Sequence, residues 1–344
     1  MAEPKVPVEV IFNPNWWFRN YGISFDRSFY FDREARIGND VQMRRVLWER
    51  FGLGAPDPAP RPVVGSEFVA GGFVVPALFG VEVRFEENQA PCPIARNLGR
   101  DEAMALRVPD IASTWPMSAW IEDMDWLESQ FGYVAGDFNT DGVLNTALQL
   151  RGQQFFIDLC EDPELVEHLK RIIVETQCRV AEYVRRRTGT CSVAVNRSIV
   201  NVDRAIYVHA NCSAHMMSPA LFAQTLLDAE CTLAGRLRPY GIHHCGSNLH
   251  RMAKSYAESG AVFYDVGWGS KVAECRRALP DAFLNLRLSP MRMLQCTTDE
   301  IRGDAERLLG EAGRRERVGL CAINMDFGTP DANVFALLNA ARGH

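Results

Sequence analysis

The chain has 344 residues, of which 47% are hydrophobic and 23% charged, and its formal net charge is −6. This length suits one large α/β domain with a sizeable core, and no low-complexity tract interrupts it. A modest negative charge without a long basic run argues against nucleic acid or an anionic membrane surface as the main partner. A small or weakly charged ligand fits this composition better.

The first twelve residues, MAEPKVPVEVIF, lack the basic start and apolar core of a secretion signal. No uninterrupted run of about 18 apolar residues, the length of a membrane span, occurs in the chain. The ten cysteines are scattered through helix-like and strand-like segments, which is unlike a dense disulfide framework. We therefore expect a cytoplasmic protein with mostly reduced thiols.

The first half of the chain is irregular in pattern. FDREARIGNDVQMRRVLWERFG predicts a helix, and the turn-rich GLGAPDPAPRP predicts a connector. YVAGDFN predicts a strand that enters a polar loop. DPELVEHLKRIIVETQCRVAEYVRRR predicts a long amphipathic helix, with acidic residues early and arginines late as the helix dipole favours.

From about residue 190, strands and helices alternate. CSVAVNRSIVNV predicts a strand-rich run, and SPALFAQTLLDAECTLAGRLRPY predicts a helix with Ser218 as its N-cap. The following predicted strands, each succeeded by a helix, are YGIHH, AVFYDVG, AFLNLRL and RVGLCAIN. Such alternation indicates right-handed crossovers and a parallel sheet. We expect one α/β domain over residues 1–344, a (β/α)₈ TIM barrel, with the first strand and an N-terminal helical extension in residues 1–60 and the remaining barrel in residues 61–344.

Polar residues collect where these strands are expected to end. In a barrel the carboxyl ends of the strands open on one mouth, which holds the active site. Ordinary strand ends are also polar, so a purely structural role is the alternative. The candidates are Asp137 and Asp265, as carboxylates that orient a metal-ligating imidazole or the substrate, and Asn139, Asn211, His244, Arg287, Asn324 and Asp326 as pocket lining. Arg287 would meet an acidic substrate group or form a salt bridge.

The segment HHCG contains three possible metal ligands in a row. In a strand, residues i and i+2 share a face, so His243 and Cys245 can face one cavity while His244 turns away or caps the loop. A catalytic zinc ion takes three protein ligands of nitrogen or sulfur and keeps one position open. Cys212, on a loop before the helix at Ser218, is one candidate for the third ligand, and Cys321, in the last predicted strand, is another.

An ordered series of segments resembles the uroporphyrinogen decarboxylase superfamily. The segments, in the order of the family, are FVVPALFGVEVRFEENQAPCPIARNL, FFIDLCEDPELVEHL, SPALFAQ, HHCG, TTDEIRGDAERLL and TPDANVFALL. The resemblance implies a single (β/α)₈ barrel. It leaves the chemistry open, because the superfamily contains two kinds of enzyme.

One branch decarboxylates uroporphyrinogen without a cofactor and carries an arginine-rich stretch at the first strand. Here the corresponding segment is IFNPNWWFRNYGISFD, with Arg19 as its single arginine. Asn13, Trp16 and Trp17 would form a mostly neutral, aromatic wall with it, which suits a less charged substrate. Core packing is the alternative for the two tryptophans.

The other branch contains zinc-dependent methyltransferases linked to cobalamin, which use an HxC pair and a distant cysteine as zinc ligands. The resemblance implies His243, Cys245 and Cys321 as this set, with Cys212 competing for the third place. Cobalamin would arrive free or on a separate corrinoid protein, and relatives also suggest a homodimer.

We therefore expect a zinc-dependent methyltransferase that exchanges a methyl group between a corrinoid and a small thiol or methylated substrate. The first alternative is a cofactor-free decarboxylase of a tetrapyrrole or another carboxylated ligand. The second is a non-catalytic protein that binds a corrinoid or porphyrin.

Overall fold

The computed structural model describes residues 6–54, 64–65, 72–189 and 206–343; it does not describe the side chains of residues 64, 65 and 137. The strands of these ranges are β1 (Val8–Phe12), β2 (Val64–Gly65), β3 (Glu82–Arg84), β4 (Cys92–Ile94), β5 (Gly136–Asp137), β6 (Tyr207–Ala210), β7 (Tyr240–His244), β8 (Phe263–Val266), β9 (Phe283–Leu288) and β10 (Val318–Met325).

Helices alternate with these strands, and most of them are short. They are α1 (Pro14–Tyr21), α2 (Arg27–Phe31), α3 (Arg33–Phe51), α4 (Val74–Leu78), α5 (Arg100–Ala105), α6 (Met117–Phe131), α7 (Val143–Arg151), α8 (Gln154–Glu161), α9 (Pro163–Thr188), α10 (Pro219–Thr225), α11 (Leu227–Arg236), α12 (Leu249–Glu258), α13 (Val272–Ala278), α14 (Pro290–Gln295), α15 (Thr298–Ala312) and α16 (Asp331–Arg342). Two 3₁₀ turns span Cys212–Met216 and Arg315–Arg317. Of the described helices, none is both long enough and apolar enough to span a bilayer.

Parallel strands form the centre of the fold in two groups. Six lie side by side in the order β1-β10-β9-β8-β7-β6, and β2 pairs with β5 in parallel. The hydroxyls of Thr140, after β5, and Tyr207, in β6, lie 3.0 Å apart, so the end of the small group lies beside β6. Eight parallel strands with helices between them confirm the expected TIM-like α/β barrel.

Several helix boundaries follow from local sequence signals. Asp162 caps α9 by accepting a hydrogen bond from the Leu165 amide, and three arginines lie in the last turn, where the helix dipole favours cations. Thr297 and Glu300 form the capping box of α15.

Three sequence predictions need correction or concern residues outside the described ranges. The single helix expected after Ser218 is two helices, because the helix is interrupted at Leu226. The preceding residue is Thr225, and its hydroxyl donates a hydrogen bond to the Leu221 carbonyl. YVAGDFN contributes only the two residues of β5. The strand-rich run at residues 191–202 lies outside the described residues.

The strand register determines which side chains share the barrel interior. Ala210 pairs with His243, His243 with Asp265, and Asp265 with Asn285, so these residues lie on one level of four adjacent strands. Adjacent strands lie about 4.8 Å apart. Residues that follow β6 and β7 are therefore close neighbours, whereas β10 is separated from β7 by β9 and β8.

Candidate metal centre

Three potential metal ligands meet where β6 and β7 end. One ligand atom from each of Cys212, His243 and Cys245 lies within 4.8 Å of the others. His243 is in β7, Cys245 follows that strand, and Cys212 begins the 3₁₀ turn after β6. His243 is fully buried, whereas Cys245 is exposed. The cluster therefore has a buried side in the barrel and an accessible side at the mouth.

The position of Cys321 favours Cys212 as the third ligand. Cys321 is fully buried in the middle of β10, and its thiol donates to Asp265 Oδ1 at 3.6 Å. Cys212 follows β6, which is hydrogen-bonded directly to β7. This adjacency places Cys212 near His243.

Asp265 orients the imidazole of His243. The Nδ1–H donates to Asp265 Oδ2 at 2.5 Å, and Arg287 Nη1 lies 3.4 Å from Nε2. Burial alone would lower the pKa of His243, but the negative charge of Asp265 outweighs it and the pKa is raised. A carboxylate at Nδ1 makes Nε2 the nitrogen that is free to bind a metal and raises its basicity.

A second layer of polar groups supports Asp265 inside the barrel. Asn285 Nδ2 donates to Glu9 Oε2 at 3.0 Å and lies 3.4 Å from Asp265 Oδ1. Glu9 and Asn285 are both nearly fully buried. The sequence prediction omitted them, although a charged or amide residue inside the apolar strands VEVIF and FLNLRL is a usable signal.

The two thiols differ in their electrostatic environment. A hydrogen bond from Cys212 and another from His243 lower the pKa of Cys245 and outweigh the partial desolvation of its thiol. The hydrogen bond to Cys245 and burial raise the pKa of Cys212. One thiolate is thus already favoured beside an imidazole and a second sulfur. This donor set fits Zn²⁺, which prefers nitrogen and sulfur ligands in a tetrahedral arrangement with one position open to substrate.

His244 lies on the opposite face of β7, as strand alternation requires. Tyr256 Oη and Asn248 Oδ1 each lie 2.9 Å from one of its two ring nitrogens. Burial lowers its pKa to about 4, so the ring is neutral near pH 7. These contacts tie β7 to α12 and indicate a packing role.

Asn145, at the start of α7, fixes the loop that carries Cys212. Its Nδ2 donates to Ala210 O at 3.1 Å and its Oδ1 accepts from Ser213 N at 3.0 Å. Close packing adds to this anchor, because a Cβ at Gly142 would collide with the Ala210 carbonyl. The loop is therefore held on both sides of the cysteine.

A second buried histidine, in the adjacent strand β6, is paired with a buried carboxylate of α11. His209 Nδ1 donates to Glu230 Oε1 at 2.9 Å, while the Val143 amide donates to its Nε2 at 2.9 Å. Asn211 Nδ2 and Tyr240 Oη also donate to Glu230, at 2.6 and 2.5 Å. Asn211, expected to line the pocket, is 1% exposed and instead joins this network.

The residues expected at the end of β1 have mostly structural contacts. Trp16 and Trp17 are buried, and Trp16 stacks on Phe12 with ring centroids 3.9 Å apart, which favours core packing over a substrate wall. Asn13 caps α1 by accepting from the Trp16 amide at 2.9 Å. The exposed Arg19 lies over the Phe327 ring, 4.9 Å from its centroid.

Other expected pocket residues are dispersed. Asp326 Oδ1 accepts from Asn15 at 2.7 Å, and Asn324 is exposed with a left-handed φ of 62°. Asn139 is buried and accepts a hydrogen bond from the Asp141 amide at 3.0 Å. The side chain of Asp137 lies outside the described part of the structure, so its expected catalytic role stays a prediction.

Two solved structures share this fold. A methyltransferase from Methanosarcina mazei matches with a TM-score of 0.69 and 17% identity, over 99% of this chain and 94% of its own. A B12-independent methionine synthase from Shewanella sp. W3-18-1, solved in complex with selenomethionine, matches with a TM-score of 0.54 and 10% identity, over 99% of this chain and 97% of its own. At these identities the likeness establishes the fold alone.

Sequence comparisons add no family assignment. No family model matches the chain, and no similar curated protein is found. The resemblance to the uroporphyrinogen decarboxylase superfamily therefore stays a prediction.

Proposed function

We propose that the protein is a zinc-dependent methyltransferase, with Cys212, His243 and Cys245 as the zinc ligands. The observation that carries the proposal is the meeting of two thiols and one carboxylate-oriented imidazole at the mouth of the barrel. The two solved structures described above are named as a methyltransferase and a methionine synthase, which agrees with this chemistry.

Bound zinc would supply a Lewis acid that lowers the pKa of a substrate thiol or polarises the heteroatom of a methyl donor. The chain itself orients and admits the reactants. Asp265 fixes the ring of His243, and the exposed Cys245 leaves the outer side of the cluster open to substrate. Arg287, half-buried beside His243, would bind an acidic group on that substrate.

We further propose a corrinoid, either free cobalamin or a separate corrinoid protein, as the partner in methyl exchange. This part rests on the sequence resemblance of the HxC segment to cobalamin-linked methyltransferases. The second structural neighbour is named as B12-independent, so the methyl donor needs its own assay. Demethylation of methylcobalamin by a thiol, followed by its visible absorbance, is that assay. If zinc binds but methylcobalamin is not consumed with any thiol, the corrinoid proposal is wrong while the metal site stands.

Metal analysis tests the central proposal. Purified protein should contain about one zinc per chain, and X-ray absorption should find two sulfur neighbours. Cys212→Ser and Cys245→Ser should each reduce the count to one sulfur and weaken zinc binding by at least about 100-fold, more than the loss of a group that merely supports a ligand.

Cys321→Ser is the matched control, because it removes a buried barrel cysteine outside the cluster. It should keep both the zinc content and the two-sulfur count. If Cys321→Ser loses one sulfur neighbour and Cys212→Ser does not, Cys321 is the third ligand. Full methyl transfer or decarboxylation by metal-free protein would refute the zinc proposal.

A further inference from the structure

Asp141 is a buried carboxylate on the mouth side of the barrel that the metal centre does not use. It lies between the end of β5 and the start of α7 and is 7% exposed. The sequence carries no distinct signal for it, because it follows Asn139 in an ordinary polar loop pattern.

Several contacts fix this carboxylate in place. Oδ1 accepts hydrogen bonds from the Gly142 amide at 2.8 Å and from Asn145 Nδ2 at 2.6 Å. The Asp141 backbone carbonyl accepts from Gln177 in α9 at 3.0 Å. Asn145 also binds both sides of the Cys212 loop, so Asp141 and the third ligand share one support.

The backbone at Asp141 adopts a conformation that side chains rarely take. Its φ is +67°, in the left-handed region. Asp141 packs against Gly72, where a Cβ would lie 2.7 Å from the Asp141 Cβ. The absence of a side chain at Gly72 therefore leaves room for the aspartate. A glycine at this position would relieve the backbone strain. Residues other than glycine that retain such strain are found preferentially at functional sites.

Asp141 differs from Asp265 and Glu230, two other buried carboxylates of the barrel. Asp265 and Glu230 each accept a hydrogen bond from a histidine. Within the described part of the chain, Asp141 has no hydrogen bond to a Lys, Arg or His side chain, and its Oδ2 accepts none. A buried carboxylate without a cationic partner is unfavourable when ionised, so it binds a proton readily.

The electrostatics agree with this geometry. Burial raises the pKa of Asp141 to about 6, despite the two hydrogen bonds to Oδ1. The titratable groups that interact electrostatically with Asp141 are His209 in β6, His243 in β7 and the Cys212 thiol after β6. It therefore titrates close to neutrality and interacts electrostatically with two of the proposed ligands, without hydrogen-bonding to any of them.

We propose that Asp141 accepts the proton that a thiol substrate loses when it binds at the cluster. This inference rests on the proposed function. The S–H bond breaks, its electron pair stays on sulfur, and the proton forms an O–H bond on Asp141 Oδ2. The neutral acid then no longer repels the thiolate.

The number of protons released on thiol binding tests the proposal. Zinc-loaded protein is titrated with 2-mercaptoethanol by calorimetry, in buffers of different ionisation enthalpy, near pH 7. Asp141→Asn should fold normally, because the amide oxygen can accept both hydrogen bonds of Oδ1 and asparagine tolerates the left-handed region. Its zinc content should equal that of the wild type.

Asp141→Asn should release close to one proton per thiol. If thiolate binding raises the Asp141 pKa by one to two units, the wild type should release fewer, by roughly 0.4 to 0.8 proton. The affinity of the variant for the thiol should also rise more steeply with pH. Asp299→Asn, which alters an exposed carboxylate on α15, should behave as the wild type.

The outcomes separate the two proposals. Equal proton release from zinc-loaded wild type and Asp141→Asn would overturn the role of Asp141 and leave the metal site intact. Absence of zinc or of thiol binding in the wild type would overturn the proposed function itself. Infrared spectra of metal-free protein provide a second measurement: a protonated-carboxyl band that appears below about pH 6 in the wild type and is missing in Asp141→Asn supports the proposal, and its absence from both contradicts it.

Discussion

Two buried histidines in adjacent strands are each paired with a carboxylate, and the two pairs differ in the partner of the second ring nitrogen. His209 in β6 and His243 in β7 are both fully buried or nearly so, and each hydrogen-bonds through Nδ1 to a buried carboxylate. The Nε2 of His209 is occupied by the Val143 amide, whereas the Nε2 of His243 lies near Arg287 in a cluster with two thiols.

The register of β6 and β7 explains why the two histidines have different partners at Nε2. His209 pairs with Ile242, whereas His243 pairs with Ala210, so the two rings point to opposite faces of the sheet. His209 faces α11, which carries Glu230, and His243 faces the barrel interior. The same pair of residue types thus serves packing on one face and, in the proposed metal site, orients a ligand on the other. The partner of Nε2 distinguishes the two pairs.

The largest expected effect comes from breaking the packing pair. His209→Phe would leave the buried charge of Glu230 without its histidine and should lower the free energy of unfolding by about 3–5 kcal/mol. Urea denaturation measures this change. The folded His209→Phe variant should still bind one zinc ion. Loss of zinc from the fully folded variant would show that the His209 pair also supports the metal site.

Breaking the metal-side pair should affect binding more than folding. Asp265→Ala removes the acceptor of the His243 Nδ1–H and should weaken zinc binding by about 10- to 100-fold. Competition with a chelating dye provides the affinity. An unchanged affinity would mean that Asp265 does not orient a ligand.

Acid should weaken the packing pair in a defined direction. Burial raises the pKa of Glu230, but the contacts with His209, Tyr240 and Asn211 outweigh it, and the net pKa lies below the ordinary value. The stability that ionised Glu230 contributes is therefore fully present above the unfolded pKa of about 4.3 and is lost as the pH falls through the lower, folded pKa.

Glu230→Gln should reveal this contribution. The variant should be less stable than the wild type by about 1.5 kcal/mol near pH 7. The side-chain amide NH₂ that replaces one oxygen cannot accept, so one of the three groups that donate to Glu230 loses its charged acceptor. The difference should shrink as the pH falls below about 4. A difference that stays constant from neutral pH to acid would contradict the assignment of an ionised Glu230.

The smallest effect is expected at the cation beside His243. Arg287→Gln should weaken binding of a thiol that carries an acidic group by up to about fivefold, and added salt should reduce the difference. A neutral thiol of similar size is the control and should bind both proteins equally. Equal loss for both thiols would indicate that Arg287 supports the cluster and does not select the substrate.

The sequence predicted the barrel because its signals are local. Alternating strand and helix periods and the N-cap at Ser218 depend on residues close in the chain. The pairing of His243 with Cys245 was equally accessible, because it requires only the alternation of one strand.

The remaining parts of the site depend on contacts between distant segments. The choice between Cys212 and Cys321 depends on which strand lies beside β7, and the sheet order favours Cys212. The network of Glu9, Asn285 and Asp265 joins three strands from both ends of the chain, and Asp141 owes its properties to burial by other segments. Single polar residues in apolar strands marked these positions, but only the assembled barrel shows what they contact.

The tight contact between Gly142 and the Ala210 carbonyl has a practical consequence for mutational surveys of this protein. Any residue with a Cβ at position 142 would push α7 away from β6 and disturb the Cys212 loop. Substitutions there should abolish turnover as completely as removal of a ligand, although glycine has no group that takes part in chemistry. A survey scored by activity alone would mistake this spacer for a reactive residue, and zinc content measured on each variant would tell them apart.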